Sequence, residues 1–368
     1  MRSLVIILFL LPASVFGAAP EFSQASMSAV APAGELASTD VERALEVADE
    51  FERERSWGAA RMQLAAIVPH VSVERAASLE LRICHLWDLS GAVFHARKCY
   101  DELVERFSSL GALEDTLASA AYRSAAIWST TDETARALEE LGGVALEFPA
   151  TVAARKSTLL ARHIHRSLKG PGAEVAFLRG LVSQIQESDL LNASTDKERA
   201  RYIKRFLAEC LVAAGTVSHY ELQKPGQAVQ ILKEVQALAT GTVWWDDAVI
   251  ELARALVTQK NYTPALTLYR ELIDAQESSW FVGSYDSQFL DEAFYEYARV
   301  LDTMQEDELA VAAYRALIKK LPSSRWVDDA AYHLALLASE EQRGEALLAF
   351  LNSYPESEHV PQVRSALQ

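Results

Sequence analysis

Apolar positions recur every three to four residues along most of the chain, separated by short polar or Gly/Pro breaks. That period predicts amphipathic helices, not strands. The pattern is sharpest in the last third. "WWDDAVIELARALV" begins at Trp244, "FLDEAFYEYARVLD" at Phe289 and "WVDDAAYHLALLA" at Trp326. Each places an acidic pair before an alanine: Ala248, Ala293 and Ala330. A second apolar-periodic stretch follows each one, in which Ala265 precedes Tyr269, Ala310 precedes Tyr314 and Ala346 precedes Phe350 by four residues. The first-to-second alanine offset is 17, 17 and 16 residues. A fixed offset with a small residue on each helix predicts an antiparallel hairpin whose backbones approach closely. The aromatic fills the space toward the next hairpin. Pro322 and Pro355 close the second helix in two of these units.

The upstream part keeps the same rhythm with weaker signals. "AARMQLAAIV", "AVFHARKCYDELVERF", "TARALEELGGVALEFP", "AEVAFLRGLVSQI" and "QAVQILKEVQALA" read as second helices, and "ALEVADEFERER" and "ERARYIKRFLAECLVAAG" as first helices. Capping boxes are expected at Thr39 with Glu42, Thr130 with Glu133 and Thr195 with Glu198. "KGPG" at 169–172 and "KPG" at 224–226 suit inter-helix turns. The expectation is about eight hairpins, a closing helix from Val360 to Leu367 and one continuous solenoid.

The repeats resemble tetratricopeptide repeats. Ala298, Ala310, Tyr314 and Pro322 stand where that family carries two small residues, an aromatic and a proline. "LPSSRWVDDAAYHLA" and "YPESEHV" are similar to a bacterial envelope subset that includes the periplasmic repeat protein of the Tol–Pal system and the outer-membrane barrel-assembly lipoprotein. The resemblance covers about residues 243 to 368 and lacks that lipoprotein's lipidated cysteine, since the first cysteine here is Cys84. It implies an all-α, right-handed α-solenoid that binds other proteins, with no cofactor.

The N-terminus carries one charge, Arg2, before an apolar run from Leu4 to Phe16. The run is shorter than the ~20 residues of a comfortable membrane span. It reads as a signal peptide over residues 1–17, cut after Gly17 or Ala19, with a flexible leader over 18–38. Divergent repeats are expected over 39–242 and clearer ones over 243–368. Export to a bacterial periplasm follows from this reading, as does a soluble chain without a direct lipid anchor. The rival is an uncleaved anchor holding the solenoid as a subunit of an envelope complex.

Composition narrows the functions. Half of the 368 residues are hydrophobic, Gly and Pro are sparse (15 and 11), and the formal charge is −16. A nucleic-acid groove needs clustered Lys and Arg, and none is apparent. The charge favours a basic protein or peptide partner instead.

Candidate chemistry is thin. The pairs Asp246/Asp247, Asp291/Glu292 and Asp328/Asp329 recur at one repeat position, where acids stabilise a helix start. A catalytic dyad would be expected once. Cys84, His85, His95 and Cys99 admit three readings: core thiols, a Cys84–Cys99 disulfide, or a weakly supported metal set. "SSWFVGSYDSQF" interrupts the repeat: Ala248 to Ala293 spans 45 residues against 37 for the next step. Its Trp280, Phe281 and Tyr285 either anchor a partner or pack on the neighbouring hairpin as part of a helix extension. The resulting expectation is a non-enzymatic scaffold. Its alternative is a helical domain associated with a peptidoglycan-processing enzyme.

Overall fold

The computed structural model describes residues 38–188, 190, 196–239, 244–279 and 283–368. The expected signal peptide, and the leader up to residue 37, lie outside them. Among the described residues, no helix is long and apolar enough to cross a membrane.

Among the described residues, seventeen α-helices form eight consecutive pairs and a cap. The pairs are α1 (Ser38–Arg53) with α2 (Trp57–Ile67), α3 (Val73–Leu89) with α4 (Val93–Phe107), and α5 (Glu114–Trp128) with α6 (Thr134–Glu147). Then come α7 (Val152–Lys169) with α8 (Pro171–Glu187), α9 (Lys197–Tyr220) with α10 (Pro225–Ala239), and α11 (Trp245–Thr258) with α12 (Tyr262–Asp274). The last are α13 (Leu290–Thr303) with α14 (Asp307–Lys320), and α15 (Val327–Leu336) with α16 (Glu340–Ser353), closed by α17 (Val360–Ala366). All five stretches read as upstream second helices fall on α2, α4, α6, α8 and α10.

The turns explain why the pairs fold back so tightly. Four hairpins use one three-residue turn with its middle residue at positive φ: Arg55, Gly91, Lys260 and Gln305. The next N–H reaches back five residues in each: Ser56 to Phe51 O, Ala92 to Trp87 O, Asn261 to Leu256 O and Glu306 to Leu301 O. This is the Schellman closure, which satisfies carbonyls left open at a helix end. Only Gly91 announces it in sequence, because the other three positions carry side chains in the left-handed region.

Helix starts differ in detail from the capping boxes expected. At α9 the cap is Asp196, whose carboxylate accepts from the N–H groups of Glu198 and Arg199 at 2.8 and 3.3 Å. Thr195 lies outside the described residues. Before α6, Thr131 and not Thr130 accepts from Glu133 N (3.2 Å), while the Thr130 hydroxyl donates back to Ile127 O. Glu42 reaches across to Arg75. A threonine followed by an acid three residues on is therefore not sufficient: at α6 Glu133 itself takes the N-cap position and no side chain caps the helix.

Packing follows the small-residue pattern. Ala60, Ala96, Ala137, Ala228, Ala265 and Ala310 on second helices are fully buried. Tyr100, Tyr269 and Tyr314, each four residues beyond such an alanine, are buried completely. Burial pushes the Tyr100 phenol up to about 12 and raises Tyr269 and Tyr314 as well. The largest core cluster runs without a break from Ala145 to Val300, so successive hairpins share one core.

The closest approach is at Gly215 on α9, where an added Cβ would lie 2.6 Å from the buried Leu232 Cγ of α10. Overpacking of this kind costs ~1–3 kcal/mol, partly offset by the ~1 kcal/mol that alanine gains over glycine in a helix. Gly215→Ala is expected to destabilise by about 1 kcal/mol and Gly215→Val by more. Chemical denaturation checks the order, and equal stability of all three chains would contradict it.

Between α12 and α13 the chain forms a small antiparallel hairpin, β1 (Gln276–Ser279) and β2 (Gly283–Asp286), with Glu277 opposite Tyr285. The interruption is thus a β-hairpin on a helical frame and not an extension of a helix. Trp280 and Phe281 lie outside the described residues; Tyr285 is in β2.

Candidate functional site

The odd-numbered helices form one row. α3 touches α5, α5 touches α7 and α9 touches α11, while the even-numbered row shows a comparable contact only between α6 and α8 among the described residues. Over these pairs the odd-numbered row is the more closely spaced, as the inner side of a curved helical stack is.

A polar ladder runs along this row. Arg75 and Arg82 of α3 reach α1, at Glu42 (2.6 Å) and at Glu52 (2.6 Å) with Asp49. Arg123 of α5 meets the His85 ring of α3 at 3.0 Å. Arg155 of α7 grips Glu209 of α9 with two bonds, at 2.7 and 3.0 Å. Arg199 of α9 does the same with Glu114 of α5, at 3.1 and 2.8 Å. His219 Nε2 lies 2.8 Å from Thr258 Oγ1 on α11. Arg254 of α11 joins Glu292 of α13 at 2.8 Å, and Arg325 approaches the same carboxylate. His333 of α15 lies 3.3 Å from Asp302, and His359 lies 2.9 Å from Asp329. Such half-exposed pairs contribute ~0–1 kcal/mol each, so they fix the register of one hairpin on the next more than they add stability.

The three acidic pairs stand in the first turns of α11, α13 and α15. They also reach beyond their own helices. Asp247 accepts from Gln288 (3.3 Å), Asp291 from Ser324 Oγ (3.0 Å), and Asp329 pairs with His359. Asp246 is buried. Burial raises the Asp247 carboxyl pKa, with the Asp246 charge adding to it. Asp328 lines an open cleft of about 570 Å³ between the α14–α15 and α16–α17 turns.

One recurrent device was not read from the sequence. Ser287, Ser324 and Ser357 each stand two residues before a ring residue at a first-helix entry. Their hydroxyls accept from the N–H groups of Phe289 (3.2 Å), Trp326 (3.1 Å) and His359 (3.3 Å). The signal was present as Ser-x-ring at steps of 37 and 33 residues. It is short, and serine is common.

Cys84 and Cys99 are joined in a disulfide with Cα atoms 5.3 Å apart, bridging α3 and α4. Bonded sulfurs offer no thiolates to zinc. The two histidines point elsewhere: His95 stacks on Trp87 at 5.0 Å, and His85 meets Arg123. Cys210 is a buried free thiol whose pKa burial raises strongly. Asp329, Glu358 and His359 bring donor atoms within 4.8 Å of one another and are the described residues able to hold a cation. His359 is already placed there by Asp329 and by stacking on Tyr332 at 4.1 Å.

Two further hollows border the stack. A groove of about 540 Å³ lies among α14, α15 and α16, with apolar walls including Leu334, Leu337, Ala346 and Phe350. A cavity of about 300 Å³ opens on the inner row between α3, α5 and α7, lined by Arg82, His85, Tyr122, Arg123, Val152 and Lys156 among others. Burial, then the Arg123 charge, lowers the His85 pKa. A guanidinium only donates, so His85 Nδ1 is the acceptor and the ring is neutral with its proton on Nε2.

The chain matches none of the curated proteins. Among solved structures it is similar to Pseudomonas aeruginosa PilF, with 14% identity over 70% of this chain and 98% of that one and a TM-score of 0.35. A tetratricopeptide repeat protein from Parabacteroides merdae gives 11% identity over 81% and 99%, with a TM-score of 0.31. Yeast Tom70 gives 11% over 89% and 72%, with a TM-score of 0.37. Residues 292–324, which span most of α13 and all of α14, match the family model of the tetratricopeptide repeat. The chain therefore contains a tetratricopeptide repeat, set in an all-α solenoid of stacked helix pairs.

Proposed function

We propose that this chain is a non-enzymatic scaffold that holds another protein or peptide along its inner row of odd-numbered helices, after export to the periplasm. The observation that carries the reading is the composition of that row. Ladder arginines and carboxylates alternate there with exposed apolar side chains: Val152 and Leu159, one heptad apart on α7, and Tyr202 on α9. Val152 borders the cavity between α3, α5 and α7, and Leu159 lies beside the Arg155–Glu209 link. A surface that offers both bonding edges and apolar contact suits an extended segment or a helix laid in a groove. Export is supported by the Arg2 and Leu4–Phe16 pattern and by the disulfide, which persists in oxidising compartments. The Tol–Pal and barrel-assembly likeness belongs to this proposal and rests on the motifs of residues 243–368.

Photo-crosslinking in the native host tests the reading. A photoreactive residue at Val152 or Leu159 is expected to give discrete adducts with an envelope protein. One at Phe94, exposed on the even-numbered helix α4, is expected to give none. Equal labelling from both rows would exclude a binding face on the inner row. Clearing of a peptidoglycan gel by the pure protein would overturn the non-enzymatic reading.

A further inference from the structure

The cavity between α3, α5 and α7 runs against the charge of the whole molecule. The chain has 51 acidic and 35 basic residues. The arginines that tie odd-numbered helix to odd-numbered helix (Arg75, Arg82, Arg155, Arg199 and Arg254) all end on a carboxylate. Arg123 ends instead on a neutral ring nitrogen of His85. Lys156, one turn into α7, is exposed at the same cavity. Among the described residues, neither cation has a carboxylate within ion-pair distance, although Asp88 and Glu52 are near enough to act on His85. Arg82, the third cation of the cavity, is occupied by Asp49 and Glu52.

The arrangement is directional. The His85 ring holds one Nη of Arg123 without neutralising it, because a neutral imidazole accepts the bond and leaves the positive charge whole. A planar guanidinium held in this way keeps donors for a carboxylate that enters the cavity. Leu81, Tyr122, Ala153 and Val152 supply apolar walls that lower the local dielectric around the two charges. A volume of about 300 Å³ admits one or two side chains and not a globular surface.

We propose that this cavity is a recognition site for an acidic side chain of a partner polypeptide, with Arg123 and Lys156 as the paired cations and Val152 contacting the neighbouring apolar residue. The inference deepens the scaffold reading, on which it rests, and reverses at this place the basic partner expected from net charge. The remaining surface keeps its acidic excess, so the preference is local to the α3–α7 segment.

Display of random short peptides on the full chain tests it. Selection on the native protein is expected to enrich Asp or Glu beside an apolar residue. Those peptides, made synthetically, should bind Lys156→Glu at least about tenfold more weakly, and Arg123→Gln likewise. Lys156 is exposed, so its variant reports on binding even where Arg123→Gln loosens the α3–α5 contact. A Gln-for-Glu version of each peptide should lose a similar factor. Enrichment of neutral or basic peptides, no enrichment, or binding indifferent to Lys156→Glu would each overturn the proposal. A partner crosslinked at Val152 whose capture ignores Lys156→Glu would leave the scaffold reading standing and remove this one. Absence of any crosslinked partner would remove the scaffold reading itself.

Discussion

Glu174→Ala is expected to destabilise the central repeats by about 2–3 kcal/mol, the largest effect of any single side chain considered. Glu174 sits in the first turn of α8 with a side chain only 2% exposed. Its two oxygens are taken separately, by Arg162 Nε at 2.8 Å and Arg166 Nε at 2.6 Å. Arg166 continues to Glu221 at 2.8 Å, so the network also ties α7 to the end of α9. Removing one partner of a buried pair costs ~3–5 kcal/mol, because the other charge stays buried and alone. Here the arginine side chains are 23% and 41% exposed, and water recovers part of that loss. Glu174→Gln keeps the volume and one acceptor and should lose about half as much. Amide exchange across α7 and α8, with urea denaturation of the whole chain, separates the cases. If alanine and glutamine cost the same small amount, the network is only a surface decoration.

Whether a feature was legible in the sequence depended on whether its cause was local. The hairpins were legible because two small residues 16 or 17 positions apart, one on each helix, are a contact rule written into one short stretch. The same helical rhythm placed α2, α4, α6, α8 and α10 in the weaker half, and the closing helix from Val360. The turns were not, since Arg55, Lys260 and Gln305 adopt positive φ for the sake of the Schellman closure and carry no glycine to signal it. The ladder was invisible for a different reason. Arg199 and Glu114 are 85 residues apart, and nothing in either segment names the other. The cation cavity has the same origin: Arg82 and His85, Arg123 and Lys156 come from three hairpins and meet only when these stack.

The acidic pairs show how a correct local reading can be incomplete. Acids in a first turn face unpaired N–H groups, and that explains why Asp328 and Asp329 follow Trp326. It does not explain why the pair matters to the next unit. Asp329 holds His359, and Asp291 holds Ser324, in each case at the entry of the following first helix. The serine that turns the chain into that helix is the partner of the previous acid in the second case. Helix start and hairpin docking thus share residues, and a motif that looks like a cap also sets the step from one repeat to the next.

Reduction of the Cys84–Cys99 bond is expected to destabilise the α3–α4 hairpin by about 3 kcal/mol, the value for closing a loop of the observed 15-residue separation. The effect should be local. α3 and α4 share one core cluster with α5 and the α6–α7 corner, and α3 a second with α1 and α2, while the cluster from Ala145 onward is built from other residues. Amide exchange under reductant should therefore rise in α3 and α4 and fade by α8. The chain's third thiol provides an internal control. Cys210 is buried on α9 with a strongly raised pKa, so alkylation of the folded, oxidised protein should modify no cysteine. Adding reductant should open the half-buried Cys99 to alkylation, the fully buried Cys84 should follow only as far as α3 loosens, and denaturant should expose all three. The paired substitution Cys84→Ala with Cys99→Ala should reproduce the exchange pattern without reductant, which separates loss of the cross-link from any other action of the reagent. Unchanged protection in α3 and α4 after reduction would mean that Ala77, Ala96 and Tyr100 already hold this hairpin and that the bond adds little to its folding. The cavity beside it makes the distinction matter. His85 follows Cys84 directly, so a loosened α3 would move the ring that aims Arg123, and peptide binding should weaken on reduction in step with exchange.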